Sequence, residues 1–329
     1  MRKNIVLWIC GIIVIVVFAF FMNNKINHND KEKKLEKIKV SEVTHSVFYT
    51  PFYVALENGY FEKYGLEIEL MLVSGSDNVA ASVLSGDTLI GLAGPESAIF
   101  VYNGKEKNYL QVFSGLTKRD GQFILGRKKD FKMEDLKGKE VLVGRSTGMP
   151  ALSFLRALKN SSISKDEVNI NYSIDFAELS GAFIGGNGDY VNLFQPLATK
   201  LEKNKNGYVL SSVGLLSDEF PYTAFYARKN DIKNNKDIFK NFTNAINDGL
   251  KYTLQNDSKK IASVIKDQFS DTDVSLLEEM IQSYKDADVW LDNPFIEEKF
   301  FNTIVELLKE NKIIDDDVYY KDLVNNLYE

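Results

Sequence analysis

From residue 37 onward the spacing of apolar positions switches repeatedly between two residues and about 3.6, the periods of a half-buried strand and an amphipathic helix. "KIKVSEVT" (37–44) alternates as a strand, "YTPFYVALENGYFEKYG" (49–65) carries a helical stripe that stops at glycine, and "LEIELMLVSG" (66–75) alternates again. Ser76 or Asp77 is placed to cap a helix over "SDNVAASVLSG", after which Gly86-Asp87 turns the chain into the apolar strand "TLIGLAG". Pro95 then opens the helix "PESAIFVYNG", at a position where its missing N–H costs nothing.

The same order returns near residue 138. "GKEVLVG" reads as a strand, "RSTGMP" as a tight loop and "ALSFLRALKN" as a helix led by Pro150; strand "NINYSIDF", helix "AELSGAFIGG", strand "DYVNLF", helix "QPLATKLEK" and strand "YVLSSVG" follow. "GDTLIGLAGPES" (86–97) and "GDYVNLFQP" (188–196) occupy matching places in the two rounds, each a Gly-Asp turn, an apolar run and a proline that starts a helix. Strands alternating with helices predict an α/β fold with parallel sheets covered on both faces.

Two segments, "DGQFILGRKK" (120–129) and "PYTAFYARKN" (221–230), read as crossover strands by which the chain leaves one lobe and returns to it. The expected organisation is lobe 1 from residues 38–122 and 223–329, and lobe 2 from residues 123–222. The helical patterns after residue 236, such as "NFTNAINDGLKYTLQN", "VSLLEEMIQSYKDA" and "FIEEKFFNTIVELLKE", are expected to pack on lobe 1 as ordinary core.

The first 37 residues differ. After Arg2 and Lys3, residues 5–22 carry no charge and make about 27 Å of helix, close to the hydrocarbon thickness of a bilayer. The bulky end of this run, "VFAFFM", favours an uncleaved transmembrane anchor over a cleaved signal peptide, and the two basic residues favour an inside N-terminus. The bulk of the protein then lies on the extracytoplasmic face of the cell membrane. Residues 23–37, "NNKINHNDKEKKLEK", are too polar to bury a core and read as a tether.

A net charge of −6 argues against nucleic acid as a partner. The single cysteine, Cys10, lies in the apolar run, so disulfides and cysteine-based zinc sites are excluded. With only His28 and His45 present, little remains for a catalytic or metal constellation, and no cofactor is expected.

In open α/β sheets, ligands sit beyond the C-terminal strand ends, where helix N-termini offer unpaired N–H groups. Topology therefore nominates Thr44, His45, Phe48 and Tyr49 after the first strand, Gly94, Glu96 and Ser97 at the turn led by Pro95, Ser146, Thr147, Gly148 and Met149 after residue 143, then Phe194, Gln195 and the crossover Tyr222. Tyr53 reads as core. A carboxylate at Glu96 is favoured by the helix dipole whatever its task, and on a pocket wall it would prefer a ligand with N–H donors. Ser146 and Thr147 serve either as caps or as ligand contacts, Arg145 pairs with an anion or with a neighbouring carboxylate, and Arg119 with Asp120 reads as a hinge-locking pair.

An enzyme is the weaker reading. "GRSTG" (144–148) fits the G-x-S-x-G elbow of serine hydrolases, but no histidine follows Ser146 in the chain to act as base. "GGNGD" (185–189) is too short for a dinucleotide fingerprint and reads as a helix stop and turn.

Taken together, "YTPFYVALENGYFEKYGLEIEL", "SGDTLIGLAGPES", "GKEVLVGRSTGMPALSFL" and "YVNLFQPLATKLE" resemble the extracytoplasmic solute-binding proteins of ABC importers, in the SsuA/THI5/NMT1-like group that includes nitrate, sulfonate, taurine and thiamine-pyrimidine binders. The resemblance covers roughly residues 38–230 and implies a type II periplasmic-binding-protein fold, two α/β lobes that close on one small ligand. It implies that the ligand is handed to an ABC permease with an ATPase; a monomer is expected. Some members synthesise the thiamine pyrimidine with a cysteine-rich stretch that this chain lacks. A ligand-sensing ectodomain is the other alternative. The aromatic set Phe48, Tyr49, Phe194 and Tyr222, with Glu96 and Gln195, suits a flat nitrogen heterocycle such as a thiamine-precursor pyrimidine better than a sulfonate or nitrate.

Overall fold

The computed structural model describes residues 34–328. The expected anchor at residues 5–22, Cys10, His28 and most of the tether lie outside the described residues. Among the described residues no helix is long and apolar enough to cross a membrane.

Among the described residues ten strands form two five-stranded sheets. In the first, β1 (Glu36–Glu42), β2 (Leu66–Leu72), β3 (Ile90–Ala93), β4 (Leu110–Thr117) and β10 (Thr223–Arg228) are ordered β2-β1-β3-β10-β4. In the second, β5 (Phe123–Gly126), β6 (Glu140–Leu142), β7 (Asn169–Asn171), β8 (Tyr190–Leu193) and β9 (Tyr208–Ser212) are ordered β7-β6-β8-β5-β9. The two orders are the same pattern, and the two Gly-Asp stretches occupy its equivalent third place as β3 and β8. Gly86 and Gly188 both have left-handed φ, 89° and 67°, which glycine adopts without a Cβ penalty. A Cβ at Gly188 would also come within 2.7 Å of the Leu142 side chain.

The sheets are mixed, where alternation of strands and helices predicts parallel ones. β1 runs parallel to β3, and β6 parallel to β7 and β8. The returning strand β10 inserts antiparallel between β3 and β4, and the outgoing strand β5 inserts antiparallel between β8 and β9. Each segment that leaves one sheet thus becomes a buried inner strand of the other. β4, "LQVFSGLT", was not singled out by period, because all eight residues are buried and no polar phase marks one face.

Several boundaries move for local reasons. The helix expected over 49–65 is broken into Thr50–Glu57 and Tyr60–Lys63 by Gly59 at φ 66°. Gly75, with no side-chain cap, precedes the helix Ser76–Ser85, so neither Ser76 nor Asp77 caps it. Pro95 sits just before the helix Glu96–Asn103 instead of inside it.

The C-terminal helix Lys236–Gln255 packs on Thr50–Glu57 so closely that a Cβ at Gly249 would overlap the Pro51 carbonyl. Helices Val274–Asp286 and Glu298–Glu310 reach further than lobe 1 packing requires. Lys203 and Lys159, on helices flanking the second sheet, pair with their Glu279 at 2.8 Å and Glu310 at 2.9 Å.

Candidate functional site

The loops that follow β1, β3, β6 and β8, together with the two crossover segments, supply the site. Phe48, on the 3-10 turn Val47–Tyr49 after β1, stands at its centre. Its ring lies 5.3 Å from that of Phe194 beyond β8, 5.7 Å from Tyr222 on the returning crossover and 5.3 Å from Tyr284 of helix Val274–Asp286. A Cβ at Gly121, on the outgoing crossover, would overlap the Phe48 ring. Trp290 Nε1–H donates to the Phe48 carbonyl at 2.8 Å and fixes this turn from below. Phe176 adds an edge-on contact to Phe194 at 5.6 Å.

Gln195 fastens the second-sheet loop to the first-sheet side. Its N–H donates to Tyr284 Oη at 2.9 Å, its carbonyl accepts from Ser46 Oγ at 2.9 Å, and its side chain reaches Ser283 Oγ and accepts from the Thr199 N–H. Every polar group of Gln195 is thereby used by the protein, so its place is that of a bridge between the halves.

On the first-sheet side, Gly94 and Pro95 lead into the helix Glu96–Asn103, and the Glu96 carboxyl folds back over Gly94, where a Cβ would overlap it. Glu96 is only 3% exposed, and burial pushes its pKa up to about 8; its own backbone N–H favours the charged form, while Asp77 opposes it. Glu96 Oε2, Ser97 Oγ, Ser114 Oγ of β4 and Tyr226 Oη of β10 are buried without a hydrogen-bond partner. Buried polar atoms are almost always paired, and the Ser97 and Tyr226 hydroxyls lie near enough to act on each other, which leaves Glu96 Oε2 as the atom of this group best placed to meet a ligand donor.

A second group lies on the other side. Asp120, on the outgoing crossover, is fully buried; its Oδ1 accepts from the Gln122 N–H at 2.7 Å, and Oδ2 has no partner. Burial pushes this carboxyl up to about 8 as well. The Ser153 and Tyr222 hydroxyls lie near enough to favour its charged form, yet neither completes a hydrogen bond. Asn192 of β8 leaves both side-chain atoms unpaired, and Gln122 its Oε1, although Gln122 Nε2 reaches the Asn192 carbonyl at 3.3 Å. The Tyr222 hydroxyl is also buried and unpaired: burial first, then the charges of Asp120 and Glu96, hold it well above the ordinary phenol value.

The remaining expected residues are arranged differently. Tyr49 and Met149 are buried and Thr44 is half-buried. His45 bonds Glu42 through Nδ1 at 2.7 Å and the Gln268 carbonyl through Nε2 at 2.9 Å, with Tyr53 Oη 3.1 Å away. Both ring nitrogens are engaged, and the Glu42 hydrogen bond raises the His45 pKa against the opposing effect of burial. This arrangement ties the first loop to the C-terminal helices. Ser146 and Thr147 are exposed, and Gly148 precedes the helix Met149–Asn160 with no side-chain cap, so neither hydroxyl is a cap. Arg145 pairs with Asp175 at 3.4 Å in the open, the carboxylate option among its two readings. Arg119 pairs with Glu219 and Asp288, not with Asp120, which corrects the expected hinge lock: the link runs from the outgoing to the returning crossover.

Sequence reasoning missed Asp120 as a site residue, along with Gln122, Ser153, Asn192, Ser114, Tyr226, Tyr284 and Trp290. For two of them a signal exists. Asn192 interrupts the apolar run "YVNLF", and Ser153 interrupts "ALSFL", each a polar residue in the buried phase of its element.

The fold is shared with solved binding proteins. The alkanesulfonate-binding protein SsuA of Xanthomonas axonopodis pv. citri, bound to MOPS, superposes with a TM-score of 0.71 at 15% identity over 89% of this chain and 99% of that one. A ligand-binding component of an ABC-type import system from Staphylococcus aureus, with zinc bound, superposes at 0.72 and 14% identity over 89% and 98%. These are α/β proteins of the periplasmic-binding type. Among the described residues no group of histidine, cysteine and carboxylate side chains is arranged to hold a metal. The NMT1/THI5-like family profile matches residues 47–259, and "Putative binding protein YtlA" of Bacillus subtilis (strain 168) is 35% identical over 90% of this chain and 89% of that protein. The chain belongs to the NMT1/THI5-like family.

Proposed function

We propose that this protein is the substrate-binding component of an ABC importer, held at the extracytoplasmic face of the membrane by residues 5–22 and acting as a monomer. Residues 38–122 with 223–329, and residues 123–222, act as two lobes that close on one small solute and present the closed form to a permease. The observation that carries this reading is that loops of both sheets meet at the Phe48 ring, which contacts Phe194 and Tyr222, while buried polar atoms around Glu96 on the first-sheet side and around Asp120 at the entry to the second stand without partners. A solute that touches both groups gains those contacts only when the halves are together, so it shifts the population toward closure. Going from mostly open to mostly closed takes about 5.5 kcal/mol of differential binding.

The ligand favoured is a nitrogen heterocycle such as a thiamine-precursor pyrimidine. Phe48, Phe194 and Tyr222 offer ring faces and edges, and Glu96 an acceptor for N–H groups. A sulfonate would require a free cation or a ring of N–H donors. The arginines with buried guanidinium atoms, Arg119 and Arg156, are instead matched to Glu219 and Asp288, and to Asp218 and Glu310. Titration of the full-length protein in detergent with 4-amino-5-hydroxymethyl-2-methylpyrimidine, taurine and nitrate tests the assignment. Saturable binding of the pyrimidine with a raised melting temperature is expected; binding of taurine or nitrate alone would replace the heterocycle with an anion.

A further inference from the structure

His45 presents its two ring nitrogens to two acceptors. Nε2 lies 2.9 Å from the Gln268 carbonyl, which only accepts, so Nε2 carries hydrogen. Nδ1 lies 2.7 Å from Glu42 Oε1. The other carboxyl oxygen, Oε2, already accepts from Tyr53 Oη at 2.6 Å, so the contact between Nδ1 and Oε1 needs a proton of its own. That proton completes the contact whether it sits on the imidazole or on the carboxyl; without it, two lone pairs face each other. Glu42 is buried, so solvent does not replace the missing donor.

The contacts continue into the candidate site. Tyr53 Oη accepts from the Ser46 N–H at 3.3 Å, while Ser46 Oγ accepts from the Phe48 N–H and donates to the Gln195 carbonyl. We propose that one proton held between His45 Nδ1 and Glu42 Oε1 positions the turn of Ser46 and Phe48, and that solute capture weakens as rising pH removes it. The proposal rests on the solute-capture reading for its consequence and goes beyond it by making His45 and Glu42 positioning residues that act through Ser46.

The neighbouring groups keep their own protonation through the neutral range. Burial holds the Tyr49 and Tyr53 hydroxyls well above the ordinary phenol value. Asp271, the other charge acting on His45, is held below the usual carboxylate range by its hydrogen bond to Lys200. Glu57 accepts from the Gln268 side chain at 2.6 Å and steadies the segment that receives Nε2–H. The hydrogen bond to Glu42 raises the His45 pKa, so the clasp is complete below the ordinary 6.5 and is lost as pH rises through the raised value.

Glu42→Gln separates the bonds from the proton. Its amide can donate to Nδ1 of a neutral His45 while its carbonyl accepts from Tyr53, so each contact survives with nothing left to titrate. His45→Gln instead leaves one acceptor unmet at every pH. Trp290 reports on the turn, because its Nε1–H donates to the Phe48 carbonyl, and Trp8→Phe makes it the only tryptophan.

Trp290 emission of full-length W8F protein in detergent, titrated from about pH 5 to about pH 9 with and without 4-amino-5-hydroxymethyl-2-methylpyrimidine, tests the clasp. The parent is expected to show an emission change centred above the ordinary histidine value, with a roughly 2- to 10-fold fall in pyrimidine affinity across it. E42Q is expected to remove both changes and H45Q to bind weakly throughout. Glu96 and Asp120 titrate in all three proteins, so the difference between proteins isolates the clasp. Should E42Q not fold, H45Q carries the comparison. An emission change that persists in E42Q or H45Q, or is absent from the parent, would overturn the clasp and leave solute capture intact. An emission change that affinity does not follow would overturn the link from His45 to capture. Failure of the pyrimidine to bind any of the proteins would overturn the heterocycle, while emission alone still decides the clasp.

Discussion

Ser46 Oγ donates to the Gln195 carbonyl at 2.9 Å, joining the loop after β1 to the loop after β8 across 149 residues of sequence. Ser46 is 2% exposed and its hydroxyl also accepts from the Phe48 N–H at 3.2 Å, so one side chain both shapes the turn that carries Phe48 and holds the opposite loop. Tyr284 reinforces the same point from the C-terminal side. The Phe48 turn is thus tied to the loop after β8 by hydrogen bonds between uncharged groups, which are expected to be less sensitive to salt than the ion pairs Lys159–Glu310 and Lys203–Glu279.

Ser46→Ala leaves the Gln195 carbonyl without its donor and loosens the Phe48 turn. A net hydrogen bond of about 0.5–1.5 kcal/mol corresponds to roughly a 2- to 10-fold loss of solute affinity. Calorimetry with the bound pyrimidine checks it, and an unchanged affinity would show that this bond does not contribute to closure.

Gly121→Ala places a methyl group where the Phe48 ring lies. Overpacking of this kind costs about 1–3 kcal/mol. Because the clash exists only when the outgoing crossover and the Phe48 turn are together, most of the cost should appear as lost affinity, with the melting temperature of the ligand-free protein changing less. Parallel calorimetry and thermal unfolding separate the two effects; a large fall in melting temperature with unchanged affinity would contradict it.

The two buried acids make stability depend on pH. Both have folded-state pKa values of about 8, above ordinary values of 4.5 and 3.8. Between those limits the folded protein keeps protons that the unfolded chain has released, so their contribution is complete below about pH 4 and is lost as pH rises through about 8. His45, raised mainly by its hydrogen bond to Glu42, acts in the same direction at higher pH than its ordinary 6.5. The melting temperature of ligand-free protein should therefore fall by several degrees from about pH 5 to about pH 8. Glu96→Gln and Asp120→Asn should each flatten part of that slope; parallel slopes for variants and wild type would show that the acids are not held protonated.

Much of this was legible in the residues. The pair "GDTLIGLAGPES" and "GDYVNLFQP" marked β3 and β8, and the topology shows them in equivalent places. Glu96, Phe48, Phe194 and Tyr222 could be nominated because each follows a strand end or lies on a crossover. What period alone does not disclose is which side chains another part of the chain will claim. His45 is taken by Glu42 and Gln268, the second of these 223 residues away, and Gln195 by Tyr284 and Ser46. Asp120 escaped notice for the converse reason. Beside Arg119 it looked paired, but Arg119 turns to Glu219 and leaves the carboxyl alone in the interior. Similarly, β5 and β10 were visible as strands, whereas their antiparallel insertion is fixed only by the neighbours they meet.

The most direct test of the two-lobed clamp is small-angle scattering of full-length protein in detergent, with the detergent contrast-matched, before and after saturation with a solute whose binding calorimetry has established. Closure predicts a smaller radius of gyration in the presence of solute, and a Glu96→Gln, Asp120→Asn double variant that stays at the ligand-free value under the same concentration. Superimposable profiles for wild type with and without a saturating solute would contradict capture by closure.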